Sequence, residues 1–124
     1  MALTTTGVRQ LAQLAAGQGT PFNNANTYLG VGNGSTAFAV SQTDLLGSSK
    51  LRKPVDVGYP TVSGATAKYR ATFAPGEANF AWNEWGIFNA GSGGVMLNRV
   101  VESNGTKQSN QTWVLEVDVT FTIG

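Results

Sequence analysis

Residues 113–123 have the sequence WVLEVDVTFTI, and this segment has the clearest periodicity in the chain. Apolar side chains take every second position, from Trp113 and Leu115 to Phe121 and Ile123. Most of the positions between them are hydroxyl-bearing or acidic. Alternate side chains of an extended strand point to opposite faces, so a period of two indicates a long β-strand with one buried face.

Two earlier segments have strand patterns of their own. In residues 67–73, small and aromatic side chains alternate with charged or hydroxyl ones, which predicts a second half-buried strand. Residues 80–88, with the sequence FAWNEWGIF, are apolar on both faces and are predicted to form a central strand. The side chains expected in the core are Tyr69, Phe73, Trp82, Trp85, Phe88, Trp113, Leu115 and Phe121.

Weaker patterns complete the predicted β framework. They indicate strands at 26–31 and 95–101, a short partner strand at 38–40, a helical turn at 41–47, and an edge strand or extended arm at 51–60. The last of these contains Pro54 and Pro60, which have no N–H to donate to a central ladder. Gly, Asn, Ser and Pro clusters separate the segments, as expected of turns.

The N-terminal segment has a helical pattern. Val8, Leu11, Ala12 and Ala15 fall on one helical face, a threonine is available as N-cap, and Gly17 is placed to end the helix. The predicted fold class is therefore mostly β (α+β), an antiparallel β-sandwich or flattened barrel with one short N-terminal helix. Residues 1–18 are expected to form a helical segment or arm whose removal leaves residues 19–124 as a single folded β-sandwich domain.

Composition excludes most catalytic chemistry. The 124-residue chain has no histidine and no cysteine, which rules out Ser/His/Asp and Cys/His machinery and thiolate metal ligands. Eight basic and seven acidic residues give a net charge of +1, with no basic patch for nucleic acid. Charged residues make up only 12% of the chain, which suits either a surface for tight protein contacts or a soluble monomer with a hydroxyl-rich surface. No signal peptide or membrane span is indicated, so synthesis in a cytoplasm is expected.

Two short motifs resemble binding sites. Residues 30–34, GVGNG, lack the spacing of a phosphate-binding loop and are predicted to form a hairpin-like turn. The pair Arg52-Lys53 suits an acidic or nucleic-acid partner, or the charges expected along an edge strand. Acidic residues with calcium-loop spacing are absent. We expect no cofactor, no metal and no catalytic residue.

Glu84 is the most unusual acidic residue, because it lies between Trp82 and Trp85 in an apolar strand. Strict alternation would place it on the same face as Trp82 and opposite Trp85. A sugar-binding face or one half of a glycosidase carboxylate pair is one interpretation. The favoured interpretation is a buried or interfacial acid that pairs with an arginine, for which Arg52, Arg70 and Arg99 are candidates.

Several of these motifs occur in an order that resembles small tailed-bacteriophage virion proteins and the N-terminal domain of phage tail-collar fibre proteins. The order is a short helix, YLGVGNG at 28–34, QTDL at 42–45, Arg52, an alternating strand through Phe73, and NEWGIFN at 83–89. Because no fibre shaft or receptor tip follows, the resemblance implies a stand-alone domain. It implies a capsid decoration (cement) protein that binds the major capsid protein lattice, or alternatively a small tail, baseplate or collar adaptor or fibre-attachment protein.

The resemblance also implies partners. They would be the major capsid protein or tail and baseplate proteins, together with further copies of the chain as a dimer or trimer, and the location would be the virion. No specific nucleic acid and no membrane is expected as a partner. As an alternative to a virion structural protein, the chain could be a carbohydrate-binding adhesion module. The side chains expected at interfaces are Leu3, Val8, Leu11, Leu14, Arg52, Lys53, Pro54, Tyr59 and Gly93.

Overall fold

Residues 2–122 are described by a computed structural model, and this part of the chain forms two antiparallel sheets and one helix. The elements are α1 (Thr5–Ala15), β1 (Tyr28–Gly32), β2 (Lys50–Pro54), β3 (Thr61–Ser63), β4 (Thr66–Phe73), β5 (Glu84–Phe88), β6 (Met96–Val101) and β7 (Trp113–Thr120). The strand order is β2-β1-β5-β6 in one sheet and β3-β4-β7 in the other. The sheets pack together, which confirms the predicted mostly β sandwich. No helix of the described part is long and apolar enough to cross a membrane.

The main core lies between the two sheets. Alternate side chains of β4 and β7 point inward, and the register places Tyr69 opposite Val117 and Phe73 opposite Trp113. The ring of Trp82 packs edge-on against both Phe73 and Trp113, with centroids 4.9 Å and 5.0 Å apart. The predicted core residues Tyr69, Phe73, Trp82, Trp85, Phe88 and Leu115 are all buried.

Three side chains differ from expectation. Phe121 is 39% exposed, because β7 ends at Thr120 and the alternation stops with it. Trp113 is only half-buried at the start of the strand. Trp82 lies in the main core beside Trp85 and not on the face of Glu84, because β5 begins at Glu84 and strict alternation does not extend to the residues before it. Ile123 lies outside the described residues.

The helix begins and ends as predicted, but it buries a different face. The Thr4 hydroxyl caps it by accepting from the Gly7 N–H, and Gly17 follows the last turn with φ +76°. Gly7 and Gln10 are buried, whereas three of the four predicted face residues, Val8, Ala12 and Ala15, are exposed. Gly7 decides this orientation, because a Cβ there would collide with the carbonyl oxygen of Leu97 on β6.

The N-terminal segment packs against the four-stranded sheet. The Thr4 N–H donates to the Leu97 carbonyl and the Arg99 N–H to the Ala2 carbonyl, so residues 2–4 cover the outer edge of β6. Leu3, Leu11 and Leu14, which were expected at an interface, pack against the main core. These three leucines are partly buried, so removal of α1 would expose the core side chains that they cover.

The segment between β1 and β2 contains neither the short strand predicted at 38–40 nor the helical turn predicted at 41–47. We call residues 33–49 the crossing loop. It lies over the outer face of the four-stranded sheet, where Leu45 packs with Phe88 and Met96 in a second apolar cluster. The loop also reaches the helix, because the Thr5 N–H donates to the Val40 carbonyl over 2.8 Å.

Candidate functional site

Glu84 is the centre of the densest buried polar network on the outer face of the four-stranded sheet. Its Oε1 accepts from the Leu46 N–H at 3.0 Å and from Arg99 Nε at 2.8 Å. Its Oε2 accepts from the Gly34 N–H at 3.0 Å and from the Gly47 N–H at 2.7 Å. Each carboxylate oxygen therefore has two donors, and three of the four donors are backbone groups of the crossing loop.

Glycines make room for this carboxylate. A Cβ at Gly32 or Gly34 would overlap Glu84 Oε2, and a Cβ at Gly30 would press on the Phe88 ring. The segment at 30–34 is thus neither a phosphate loop nor a hairpin turn: its first part is strand β1. The glycines let the loop backbone approach a buried acid closely.

Arg99 is the arginine that pairs with Glu84, so the buried-acid interpretation describes this structure. Both side chains are fully buried, and Arg99 lies diagonally from Glu84 on β6, because Gly86 faces Arg99 in the register. Arg99 Nη1 donates to Gln42 Oε1 at 3.0 Å, which fixes another point of the crossing loop. Among the described protein groups, Arg99 Nη2 has no hydrogen-bond partner.

The protonation state of Glu84 follows from its donors. Burial alone would raise the pKa of this carboxyl. The backbone N–H of Leu46, the Arg99 guanidinium and the backbone N–H groups of Gly47 and Gly34 outweigh burial and hold the pKa below its usual value. Glu84 is therefore a carboxylate at neutral pH, and it is 1% exposed. An inaccessible acid with both oxygens occupied is suited to holding structure and not to transferring protons.

Arg52 lies on the same outer face of the four-stranded sheet as Glu84, on the edge strand β2. Its guanidinium lies 3.6 Å over the Phe88 ring and donates to the carbonyls of Ala90 and Gly93 at 2.9 Å and 3.0 Å. It also lies 3.4 Å from Asp44. A small cavity of about 310 Å³ opens beside it. Arg52 thus contacts groups of its own chain and holds the turn after β5 in place. Its charge is not free to bind nucleic acid.

The other residues expected at interfaces are scattered. Lys53 pairs with Glu77 at 2.7 Å, and Tyr59 packs against the core. Pro54 and Gly93 are exposed. Val8 is the one apolar side chain of the expected helical interface that is clearly exposed, at 49%. Of the residues expected at interfaces, the structure brings only Leu3 and Val8 together in one groove.

The crossing loop places beside Val8 a residue, Val40, that was not expected at an interface. Helix α1 and the crossing loop border an apolar groove of about 340 Å³, which we call the α1 groove, lined by Leu3, Thr4, Thr5, Val8, Arg9 and Val40. Val40 is 58% exposed, and Leu46, further along the same loop, is 45% exposed. The only available signal was their apolar character, because the pairing of loop and helix cannot be seen in the sequence.

No protein-family model, curated protein or solved structure matches this chain. Its function is therefore inferred from its own geometry. Within residues 2–122 there is no group of three or more acidic side chains placed to hold a metal ion. Trp82 and Trp85 are buried, and half-buried Trp113 packs edge-on against Trp82, so the tryptophans do not form a flat sugar-binding platform.

Proposed function

We propose that this chain is a structural component of a bacteriophage particle and acts as a capsid decoration protein bound to the major capsid protein lattice. The observation that carries the proposal is the convergence of the phage-like motifs. The glycines at 30–34, the Thr-Asp-Leu step ending at Leu45, Arg52, and the Glu84-Gly86-Phe88 strand all meet on the outer face of one sheet. Short motifs can occur in a given order by chance. Because these motifs also contact one another in the fold, they support an architecture shared with the phage proteins that they resemble.

The convergent residues support the proposal indirectly, because they are buried and hold the crossing loop in place. The loop in turn presents Val40 beside Val8, and the two side chains line the α1 groove. Arg9 is the only charged residue of α1, so a docking partner would have little charge to desolvate there. We place the capsid contact at this groove, which can bury an apolar side chain of the capsid subunit.

A small contact of this kind suffices for a decoration protein. Each copy would bury only a modest apolar patch, and the many equivalent sites of a capsid lattice would add their contributions. The low overall charge allows neighbouring copies to approach without strong repulsion. The expected effect is a head that withstands higher internal pressure from packaged DNA.

The test compares purified particles that assemble with the wild-type chain, with Val8→Glu, or with Val62→Glu. Val62 is 73% exposed on β3 and provides the matched control for adding a carboxylate to an exposed valine. We expect Val8→Glu to lower the number of copies per particle at least tenfold, while Val62→Glu leaves it unchanged. Equal incorporation of both variants would show that the groove is not the contact.

Electron microscopy of the same particles tests the location. Density over the capsid surface that is absent from particles lacking the chain supports decoration. Density confined to the tail, baseplate or collar would replace decoration by the adaptor role that the tail-collar resemblance also favours. Absence of the chain from purified particles would overturn the virion proposal altogether.

A further inference from the structure

We infer that the outer edge of β7 binds an extended, basic segment of another protein as an added β-strand. The inference goes beyond the proposed virion role and does not depend on it, because it rests on β7 and not on the α1 groove. It begins from the position of β7, which has eight residues and pairs on one side only, with β4.

The backbone groups that face outward can be assigned from the register. The Phe121 N–H donates to the Ala65 carbonyl, in line with the β4–β7 register. Hydrogen-bonded and non-bonded pairs alternate in an antiparallel ladder, so every second residue of β7 turns its N–H and C=O away from β4. The residues with outward backbone groups are Val114, Glu116, Asp118 and Thr120.

The other three sheet edges are closed to such an addition. The edge of β6 is covered by residues 2–4. Strand β3 has only three residues. In β2, the Val55 N–H donates to Thr27, so Pro54 lies where its missing N–H would face outward, which is the position that edge prolines take. Only β7 leaves a long row of unpaired backbone groups without a proline, in the part of the chain that the structure describes.

Charge disfavours a second copy as the occupant. Glu116 and Asp118 are two of the residues whose backbone groups point outward, and their side chains are exposed beside this edge. If two copies of β7 paired about Val117, Glu116 of each would face Asp118 of the other, and a shift of two residues would place identical acids opposite each other. Like charges at directly opposite positions destabilise a strand pair, so these acids oppose self-association through β7.

The same charges define the partner. Lys68 on β4 lies 3.5 Å from Glu116, with both side chains more than 40% exposed, and Asp118 has no ion pair within the described chain. A strand with Lys or Arg at the two positions opposite these acids would satisfy them. Its alternate side chains would extend the row formed by Leu115, Val117 and Val119, so they should be aliphatic. Val114, which is 52% exposed, would pack against an apolar or aromatic side chain at one end.

The experiment uses the full chain, labelled with ¹⁵N, and two synthetic peptides, TVKVRVY and its acidic counterpart TVEVEVY, both acetylated and amidated. We expect the basic peptide to shift and protect the amides of Val114, Glu116, Asp118 and Thr120, whereas the inward-bonded amides of β7 change less. Reversing attraction to repulsion at two cross-strand pairs should weaken binding of the acidic peptide about tenfold. Failure of the basic peptide to bind, or equal binding of both, overturns the inference.

Two variants separate the backbone contribution from the charge contribution. Asp118→Pro removes one outward N–H and spares the ladder to β4, so peptide binding should be lost. The double variant Glu116→Lys/Asp118→Lys should invert the preference and bind the acidic peptide, and it keeps the test decisive if the proline variant fails to fold. If the free protein is a dimer by light scattering and its outward β7 amides are already protected, the occupant is a second copy and the inference is wrong.

Discussion

Replacing Glu84 by glutamine keeps the shape of the side chain and removes its charge, so it isolates the value of the buried carboxylate. Each oxygen of Glu84 accepts two N–H groups, and the glutamine NH₂ would face two donors in either of its orientations. Two hydrogen bonds would be lost whichever way the amide turns. The Arg99 guanidinium would also be left as a buried charge without its counter-ion.

The expected magnitude follows from these losses. An unsatisfied buried donor costs about 1–3 kcal/mol, and removing one partner of a buried ion pair costs about 3–5 kcal/mol. The two figures are not additive, because both describe the loss of the same buried carboxylate charge. We therefore expect Glu84→Gln to lower the free energy of unfolding by about 3–5 kcal/mol, which is a large share of the stability of a small domain.

Urea denaturation monitored by tryptophan fluorescence measures this loss. With the slope usual for a small domain, the unfolding midpoint should fall by about 2 M urea. Glu116→Gln makes the same chemical change at an exposed ion pair of 3.5 Å, and it should cost less than about 1 kcal/mol. A loss for Glu84→Gln no greater than that of the control would refute the view that Glu84 anchors the crossing loop.

Two further predictions concern titration. Because the folded pKa of Glu84 is lowered, its stabilisation is present above the unfolded pKa and is lost as pH falls through the folded value. The stability difference between wild type and Glu84→Gln should thus narrow in acid, and a difference independent of pH in urea titrations would contradict the assignment. Burial raises the pKa of Tyr69 to about 12, and its hydroxyl donates to the Phe22 carbonyl. Tyr69→Phe should cost about 1 kcal/mol and remove the transition near pH 12 from an absorbance titration, whereas an unchanged titration would contradict it.

The strands that form the sandwich could be predicted because their pattern is local. In β4 and β7 one face is buried and the other is more accessible to solvent, so apolar and polar residues alternate with a period of two in the sequence. Strand β5 is buried on both faces, and its continuous apolar composition marked it as central. The apolar pattern predicts that this strand starts at Phe80, but it starts at Glu84. Trp82 is buried although its backbone is not part of the strand.

The helix face and the crossing loop could not be predicted, because both depend on contacts between distant residues. Gly7 can lie against the backbone of Leu97 because it has no side chain. A pattern of apolar side chains cannot predict a contact of this kind. The loop is held by Glu84, which lies 37 to 50 positions away from the N–H groups that it accepts. The sequence offers Arg52, Arg70 and Arg99 as candidate partners of Glu84 without ranking them, and the β5–β6 register selects Arg99.

On the outer face, the residues that hold the crossing loop are different from the residues that are exposed to a partner. Glu84 and Arg99 are buried, yet they fix Leu46 and Gln42, and the same loop bonds to α1 at Val40. The position of Val40 in the α1 groove thus depends on a carboxylate that no partner can reach. Substitutions at exposed residues of the loop should therefore leave its position unchanged, whereas Glu84 and the glycines that make room for it are needed for the loop to be held.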